Sequence, residues 1–327
     1  MSGVNFTFLS QLDDYIKMKQ YRLVNAVVVY ESDELVYKRY YNKFNDDSVN
    51  HLCSTWKSIL SLTLGICLDK GIVKDIDEPI SRYLPQFAQS IDPRHRLITI
   101  RHLLTMSSGI HFVGGVHYHC PMLEQMRRTK DWITHIADVQ MTATPGTRFV
   151  YKEWDVILLS ALIGKACVGL AYSVVWEHLY KPLGIAGVEW LAQNKGNLNY
   201  NADLDNGLPE DGGDKMTALN MAKIGRLMLN GGMWDGQRIV SEDYIKESVM
   251  PSKASAGYGL LWWLSDKGYH ARGFGGQEIN VYPDKNIVAV VQATVTPSSK
   301  FYSDICENII STHETFPHQV SQQGDTL

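Results

Sequence analysis

The sequence predicts an α/β protein of the α+β kind: one antiparallel sheet flanked by helices, with an all-helical domain inserted into it. Three observations carry this expectation. Runs rich in β-branched residues lie towards both ends of the 327-residue chain. The stretch between them has helical patterning broken by Gly and Pro, and no repeat or low-complexity tract interrupts that order. Strands at both ends enclosing a helical middle pack most simply as one sheet built from the two ends. Residues 1–51 and 251–327 are therefore assigned to a discontinuous α/β sandwich domain, and residues 52–250 to a mostly helical domain.

Within residues 7–20, Phe8, Leu9, Leu12, Tyr15, Ile16 and Met18 recur at helical spacing, so an amphipathic helix opens the chain. Leu23 to Tyr30 is β-branched, and Leu35 to Tyr41 reads as its hairpin partner across Glu31-Ser32-Asp33-Glu34. Asp75 to Leu84 and Ile98 to Met106 read as short amphipathic helical pieces. Tyr151 to Val168 and Met216 to Leu229 read as longer helices, the second stopped by Asn230-Gly231-Gly232. Ser241 ahead of Glu242 and Asp243 has the pattern of a capped helix start. Strands return at Tyr258 to Leu264, Tyr269 to Phe274, Glu278 to Tyr282 and Ile287 to Ala293. Pro283-Asp284-Lys285-Asn286 turns between the last two. Phe301 to His313 reads as a closing helix before a loose polar tail.

Composition narrows the function. Hydrophobic residues make up 45% and charged residues 20%, enough for a real core, and the net charge of −4 offers nothing to nucleic acid or to an anionic membrane surface. The N-terminus lacks a basic stretch followed by an apolar run, and no segment has the length of a membrane span. The five cysteines (Cys53, Cys67, Cys120, Cys167 and Cys306) are odd in number and scattered, as in a reduced, cytoplasmic protein. The expected partner is a small-molecule or peptide substrate, with no nucleic acid and no membrane.

One constellation carries chemistry. Between Asp47 and Asp69 the single formally charged side chain is Lys57, in a helical stretch without a polar face. A lysine in such a place is costly unless paired or neutral, and desolvation lowers its pKa towards that of a usable base. Ser54 lies three residues earlier on the same helical face, beside the free N–H groups of a helix start. On these residues alone two readings stay open: a Ser–Lys nucleophile pair, or an N-cap serine with a lysine snorkelling to solvent.

Further segments fall in a recognisable order: Ser54-Thr55-Trp56-Lys57-Ser58, Ile98 to Gly109, Pro145-Gly146-Thr147-Arg148-Phe149-Val150-Tyr151, Lys181-Pro182-Leu183-Gly184-Ile185, Met221 to Gly225, and Arg272-Gly273-Phe274-Gly275-Gly276-Gln277. With these the chain resembles the class C β-lactamase-related serine hydrolases, in particular the branch with 6-aminohexanoate-dimer hydrolases and esterases. The resemblance implies a β-lactamase/transpeptidase-like fold, Ser54 as acylated nucleophile, Lys57 as base and Tyr151 as proton carrier to and from the leaving group. It also implies an oxyanion hole from the backbone N–H groups of Ser54 and Phe274, with Gly273 beside the pocket. Neither cofactor nor metal is implied. Two departures stand out. Glu153 occupies the place of the usual second-box polar residue, where it would pair with Lys57 and hold it protonated if it faces the site. Arg272-Gly273 replaces Lys-Thr-Gly, which speaks against a β-lactamase or a carboxylate-anchoring peptidase. Arg272 is a candidate for substrate carboxylate, unless strand alternation turns it outward.

The loop from His111 to Cys120 gathers three histidines and a cysteine. These are zinc-ligand types, but their spacing fits no standard pattern, so His111 and Tyr118 are read as substrate contacts at a pocket edge. Trp262 and Trp263 should face opposite sides of a strand, and residues 187–214, with Trp190, read as a lid. The expected function is hydrolysis of an amide or ester bond through a Ser54 acyl-enzyme. The alternatives are an acyltransferase or transesterase on the same machinery, and a catalytically silent ligand-binding or sensor protein.

Overall fold

The structure, a computed structural model, describes residues 3–114, 120–169, 171–186, 215–296 and 300–311. Its centre is a six-stranded antiparallel sheet built from both ends of the chain. Strands β1 (Val24–Glu31) and β2 (Glu34–Tyr40) form the expected hairpin, turning through Ser32 and Asp33 in left-handed conformations. Strands β7 (Trp263–Leu264), β8 (Tyr269–Gly273), β9 (Gln277–Tyr282) and β10 (Ile287–Ala293) complete it in the order β2-β1-β10-β9-β8-β7. The first strand meets the last, Val28 opposite Val290, which closes the two chain ends into one layer.

Alternation along the strands builds two cores. On the outer face Val27, Val29, Ala289 and Val291 pack with helices α1 (Phe6–Lys17) and, near the C-terminus, Ser303–Ile310. On the inner face Ala26, Val28, Val288 and Val290 join the core shared with the helical region. Each such valine, fully buried, contributes about 1.5–3 kcal/mol.

The helical region starts with α2 (Thr55–Asp69), in which every residue from Thr55 to Cys67 is buried. It continues through α3 (Gln86–Gln89), α4 (Ile100–Leu104), α5 (Pro121–Arg127), α6 (Trp132–Ala137), α7 (Glu153–Ala166) and α8 (Ala171–Val175). Helix α9 (Ala218–Leu229) lies against β9, β10 and β1, so this part of the 52–250 stretch covers the sheet. Gly225 permits that approach: a Cβ there would sit 2.5 Å from Val288 Cγ1. Two short strands missing from the sequence reading, β3 (Val49–His51) and β4 (Lys215–Thr217), pair just before α2 and α9. Asn50 Nδ2 donates to Ala293 O at 2.8 Å and ties that pair to the sheet. A hairpin of β5 (Met233–Trp234) and β6 (Gln237–Arg238), then α10 (Glu242–Ser248), lead to the closing strands and to α11 (Ser303–Ile310).

Two expectations change. Asp75 to Leu84 is not an amphipathic helix; Pro79 interrupts it and only the 3-10 turn Ile80–Arg82 remains. Tyr258 to Leu264 is not a continuous strand, because Tyr258 bridges back to Trp263 and Leu261 takes a left-handed conformation between them. The lid region 187–214 with Trp190, and the tail from 312, lie outside the described residues. No single helix among the described residues is long and apolar enough to cross a membrane.

Candidate active site

Helix α2 delivers Ser54 and Lys57 from its first turn. Cys53, just before, holds a left-handed backbone with φ of 48°, an uncommon conformation for a non-glycine residue. That bend presents Ser54 at the mouth of the helix. The serine is at the N-cap position, yet its hydroxyl caps nothing. It accepts instead from Lys57 Nζ at 2.9 Å. Among the described residues the Ser54 N–H has no hydrogen-bond partner, as expected of a donor at the open end of a helix. Lys57 is 2% exposed, which excludes a snorkelling lysine. The Cys53 thiol is pushed up to about 12 by burial, against the pull of Lys57, so it stays protonated at neutral pH and does not compete as nucleophile.

The start of α7 supplies the counter-charge. Glu153 is its first residue, and Lys57 Nζ donates to Glu153 Oε1 at 3.0 Å. Burial lowers the pKa of Lys57, but the Glu153 carboxylate and then Tyr151 raise it, and the net lies above the ordinary lysine value. The expectation of a lysine depressed by desolvation is thereby corrected: the second-box carboxylate faces the site and keeps the ammonium charged. Its neighbour Lys152 turns inward to a separate buried pair, with Nζ 3.2 Å from Asp155 Oδ2. Asp155 also accepts from Ser108 Oγ at 2.5 Å. These contacts tie the start of α7, where Glu153 stands, to the segment carrying Ser108.

Tyr151 joins the same cluster. The Lys57 ammonium lies 5.0 Å from its ring centroid. The ring stacks on Trp263 at 5.4 Å and 27°. Trp263 in turn meets Tyr258 at 4.8 Å and Phe149 at 6.3 Å. Trp262 precedes β7 rather than sharing a strand with Trp263, so strand alternation does not apply to the two; Trp262 is fully buried against Tyr269, while Trp263 is half-buried. This aromatic row escaped the sequence reading, because it is assembled from two loops over 100 residues apart.

Strand β8 closes the other side. Gly273 passes so near the start of α2 that a Cβ would lie 2.3 Å from Leu52 O and 3.1 Å from Ser54 N. Phe274 follows at once. Arg272, one residue earlier, faces away: with His270 and Ser303 it lines a cleft on the outer face of the sheet, opposite Glu278 of β9. It is therefore not brought to Ser54, and alternation along β8 is the reason. His111 lies beside the first turn of α7, its carbonyl accepting from Trp154 Nε1 at 3.0 Å, and among the described residues no hydrogen bond joins it to Ser54, Lys57 or Glu153. Tyr118 lies outside the described residues, as do His117 and His119. Among the described residues no three His, Cys, Asp or Glu side chains converge as a metal site.

A family model described as Beta-lactamase matches residues 12–310. The chain belongs to the β-lactamase family. An acyltransferase of Penicillium decumbens, calJ, is 28% identical over 161 residues, 43% of this chain and 37% of that protein. A 6-aminohexanoate-dimer hydrolase of Paenarthrobacter ureafaciens is 23% identical over 261 residues, 74% of this chain and 60% of its own length. The chain thus spans little more than a third of the first relative and three-fifths of the second. Among solved structures, a penicillin-binding protein of Bacillus halodurans superposes with a TM-score of 0.69 at 19% identity, covering 92% of this chain and 98% of that one. At that identity the likeness is one of fold. The β-lactamase-family fold accounts for the antiparallel sheet, its covering helices and the helical region between its halves.

Proposed function

We propose that the protein is a serine hydrolase that cleaves an ester or amide bond through an acyl-enzyme on Ser54. The observation that carries this reading is the buried Lys57 ammonium 2.9 Å from an uncapping Ser54 hydroxyl, presented by the bend at Cys53. Ser54 Oγ attacks the carbonyl carbon as its proton leaves into the hydrogen-bonded Lys57–Glu153 pair. We assign the oxyanion to the backbone N–H groups of Ser54 and Phe274. Tyr151 and Lys57 return a proton to the leaving group, and water then releases the acyl group. With Arg272 on the opposite face of the sheet, the reading favours substrates that need no carboxylate anchor.

Acyl transfer to an alcohol or amine is the second reading, favoured by the match to the fungal acyltransferase. One experiment addresses both. Wild type and Ser54→Ala are compared in nitrophenyl ester turnover and in labelling by a fluorophosphonate, with and without added alcohol or amine. Labelling at Ser54 and turnover lost in Ser54→Ala support the nucleophile. Full activity in Ser54→Ala removes it. Partition of product towards the acceptor selects transfer over hydrolysis.

A further inference from the structure

The pairing of Lys57 with Glu153 raises a chemical problem. A charged lysine takes a proton from a serine only if one of its own protons has somewhere to go. Lys57 is buried to 2% exposure, touches Ser54 Oγ at 2.9 Å and Glu153 Oε1 at 3.0 Å, and so lies between the hydroxyl and the carboxylate. We propose that Glu153 is the terminal proton acceptor for Ser54, acting through Lys57 as a three-member Ser54–Lys57–Glu153 relay. This rests on the acyl-enzyme reading above and deepens it.

The step balances. The Ser54 hydroxyl proton passes to Lys57 Nζ while a different Nζ proton passes to Glu153 Oε1. Lys57 stays an ammonium, Glu153 becomes a carboxylic acid, and Ser54 Oγ bonds to the carbonyl carbon as the carbonyl electron pair moves to oxygen. When the tetrahedral species collapses, the leaving group departs with its bonding pair. It takes the proton back along the relay, through Lys57 or Tyr151, and Glu153 is again a carboxylate. Deacylation repeats the sequence with water in the place of serine. An ammonium kept in place throughout also avoids forming a bare neutral amine in each cycle. Its elevated pKa agrees with that state as the resting one.

Among the described residues the groups facing this pair are few. Tyr151 and Tyr258 face it from the loop segments ahead of α7 and β7, and Cys53 from the turn before α2, where burial keeps the thiol protonated. At the start of α7, Lys152 and Asp155 satisfy each other, and on β8, His270 and Arg272 face the opposite side of the sheet. None of these supplies a second carboxylate to Lys57.

The test is the pH profile of kcat/KM for a nitrophenyl ester, from pH 5 to 10, in wild type, Glu153→Gln and Glu153→Asp, with fluorophosphonate labelling of each. The relay gives wild type a level profile through pH 7–9. Glu153→Gln falls about 100-fold at pH 6, the scale of a lost acid–base group, and then climbs tenfold per pH unit as Lys57 deprotonates. Glu153→Asp keeps a profile of wild-type shape at reduced height, which separates the carboxylate's chemistry from a folding defect. A wild-type rate that itself climbs tenfold per unit to pH 9 overturns the relay, as does a Glu153→Gln profile within about threefold of wild type throughout. If Ser54 is labelled and these profiles coincide, the relay alone falls. If wild type shows neither labelling nor turnover, the nucleophile reading falls and the relay with it.

Discussion

Gly273→Ala is the substitution whose effect follows most directly from the geometry. An added Cβ would meet Leu52 O at 2.3 Å, Thr55 N at 3.0 Å and Ser54 N at 3.1 Å, all backbone atoms that no rotamer change relieves. Opening the shortest contact to an ordinary separation of about 3.4 Å moves β8 by about 1 Å from the start of α2, and a displacement of that size at reacting groups costs on the order of 100-fold. Losing one oxyanion donor costs about 100- to 1000-fold, so the two estimates agree. The accompanying loss of stability is that of a mild overpacking, about 1–3 kcal/mol. The assay is the pre-steady-state acylation rate with a nitrophenyl ester, beside thermal unfolding. Gly257→Ala serves as control, since a Cβ at that glycine meets nothing within 4 Å. Acylation in Gly273→Ala within threefold of wild type, in a protein of unchanged Tm, would refute both the tight crossing and the assignment of the oxyanion to this corner.

Two further predictions concern the outer face of the sheet. Arg272→Ala should leave kcat/KM within twofold of wild type while lowering stability by up to about 1 kcal/mol, because Arg272 opposes the buried Glu278 rather than the serine; a tenfold loss of rate with unchanged stability would return Arg272 to the substrate. His270 is buried, its Nε2 paired with Ser265 Oγ and its Nδ1 with Asn280 Oδ1, each at 2.8 Å, and burial together with the charge of Arg272 brings its pKa from 6.5 to about 4. A depressed histidine contributes stability that is present above pH 6.5 and is lost as pH falls towards 4, a loss of about 3 kcal/mol. Urea unfolding at pH 7 and pH 4.5 should show this loss in wild type and much less of it in His270→Gln; equal slopes against pH in the two proteins would exclude His270 as its source.

What could be read from the sequence was what is local. The hairpin, the returning strands and the Ser54–Lys57 spacing each depend on periods of two or of 3.6 residues, and these appear in any short window. The face of Arg272 was also local in principle: Ala271 and Gly273 are small enough to lie against a helix, so His270 and Arg272 must take the other side. A box-by-box comparison hides that parity. The aromatic row was not local. Trp263 meets Tyr151 only because the chain folds back at Leu261, a non-glycine residue in a left-handed conformation that no pattern announces.

The charge state of Lys57 is the clearest case of information that only the assembled fold contains. Taken by itself, the α2 sequence argues for a depressed lysine, since burial opposes charge. The partner that reverses the sign stands 96 residues away, and it reaches the site because Lys152 and Asp155 form their own buried pair at the same helix start. Three consecutive residues thus divide their roles by direction: Tyr151 to the ammonium's face, Lys152 to the core, Glu153 to the ammonium itself. A tyrosine followed by a carboxylate two residues on is therefore more than a departure from a familiar box. It replaces a neutral hydrogen-bonding partner of the lysine with a charged one, and on the relay proposed above it is where the serine's proton finally rests.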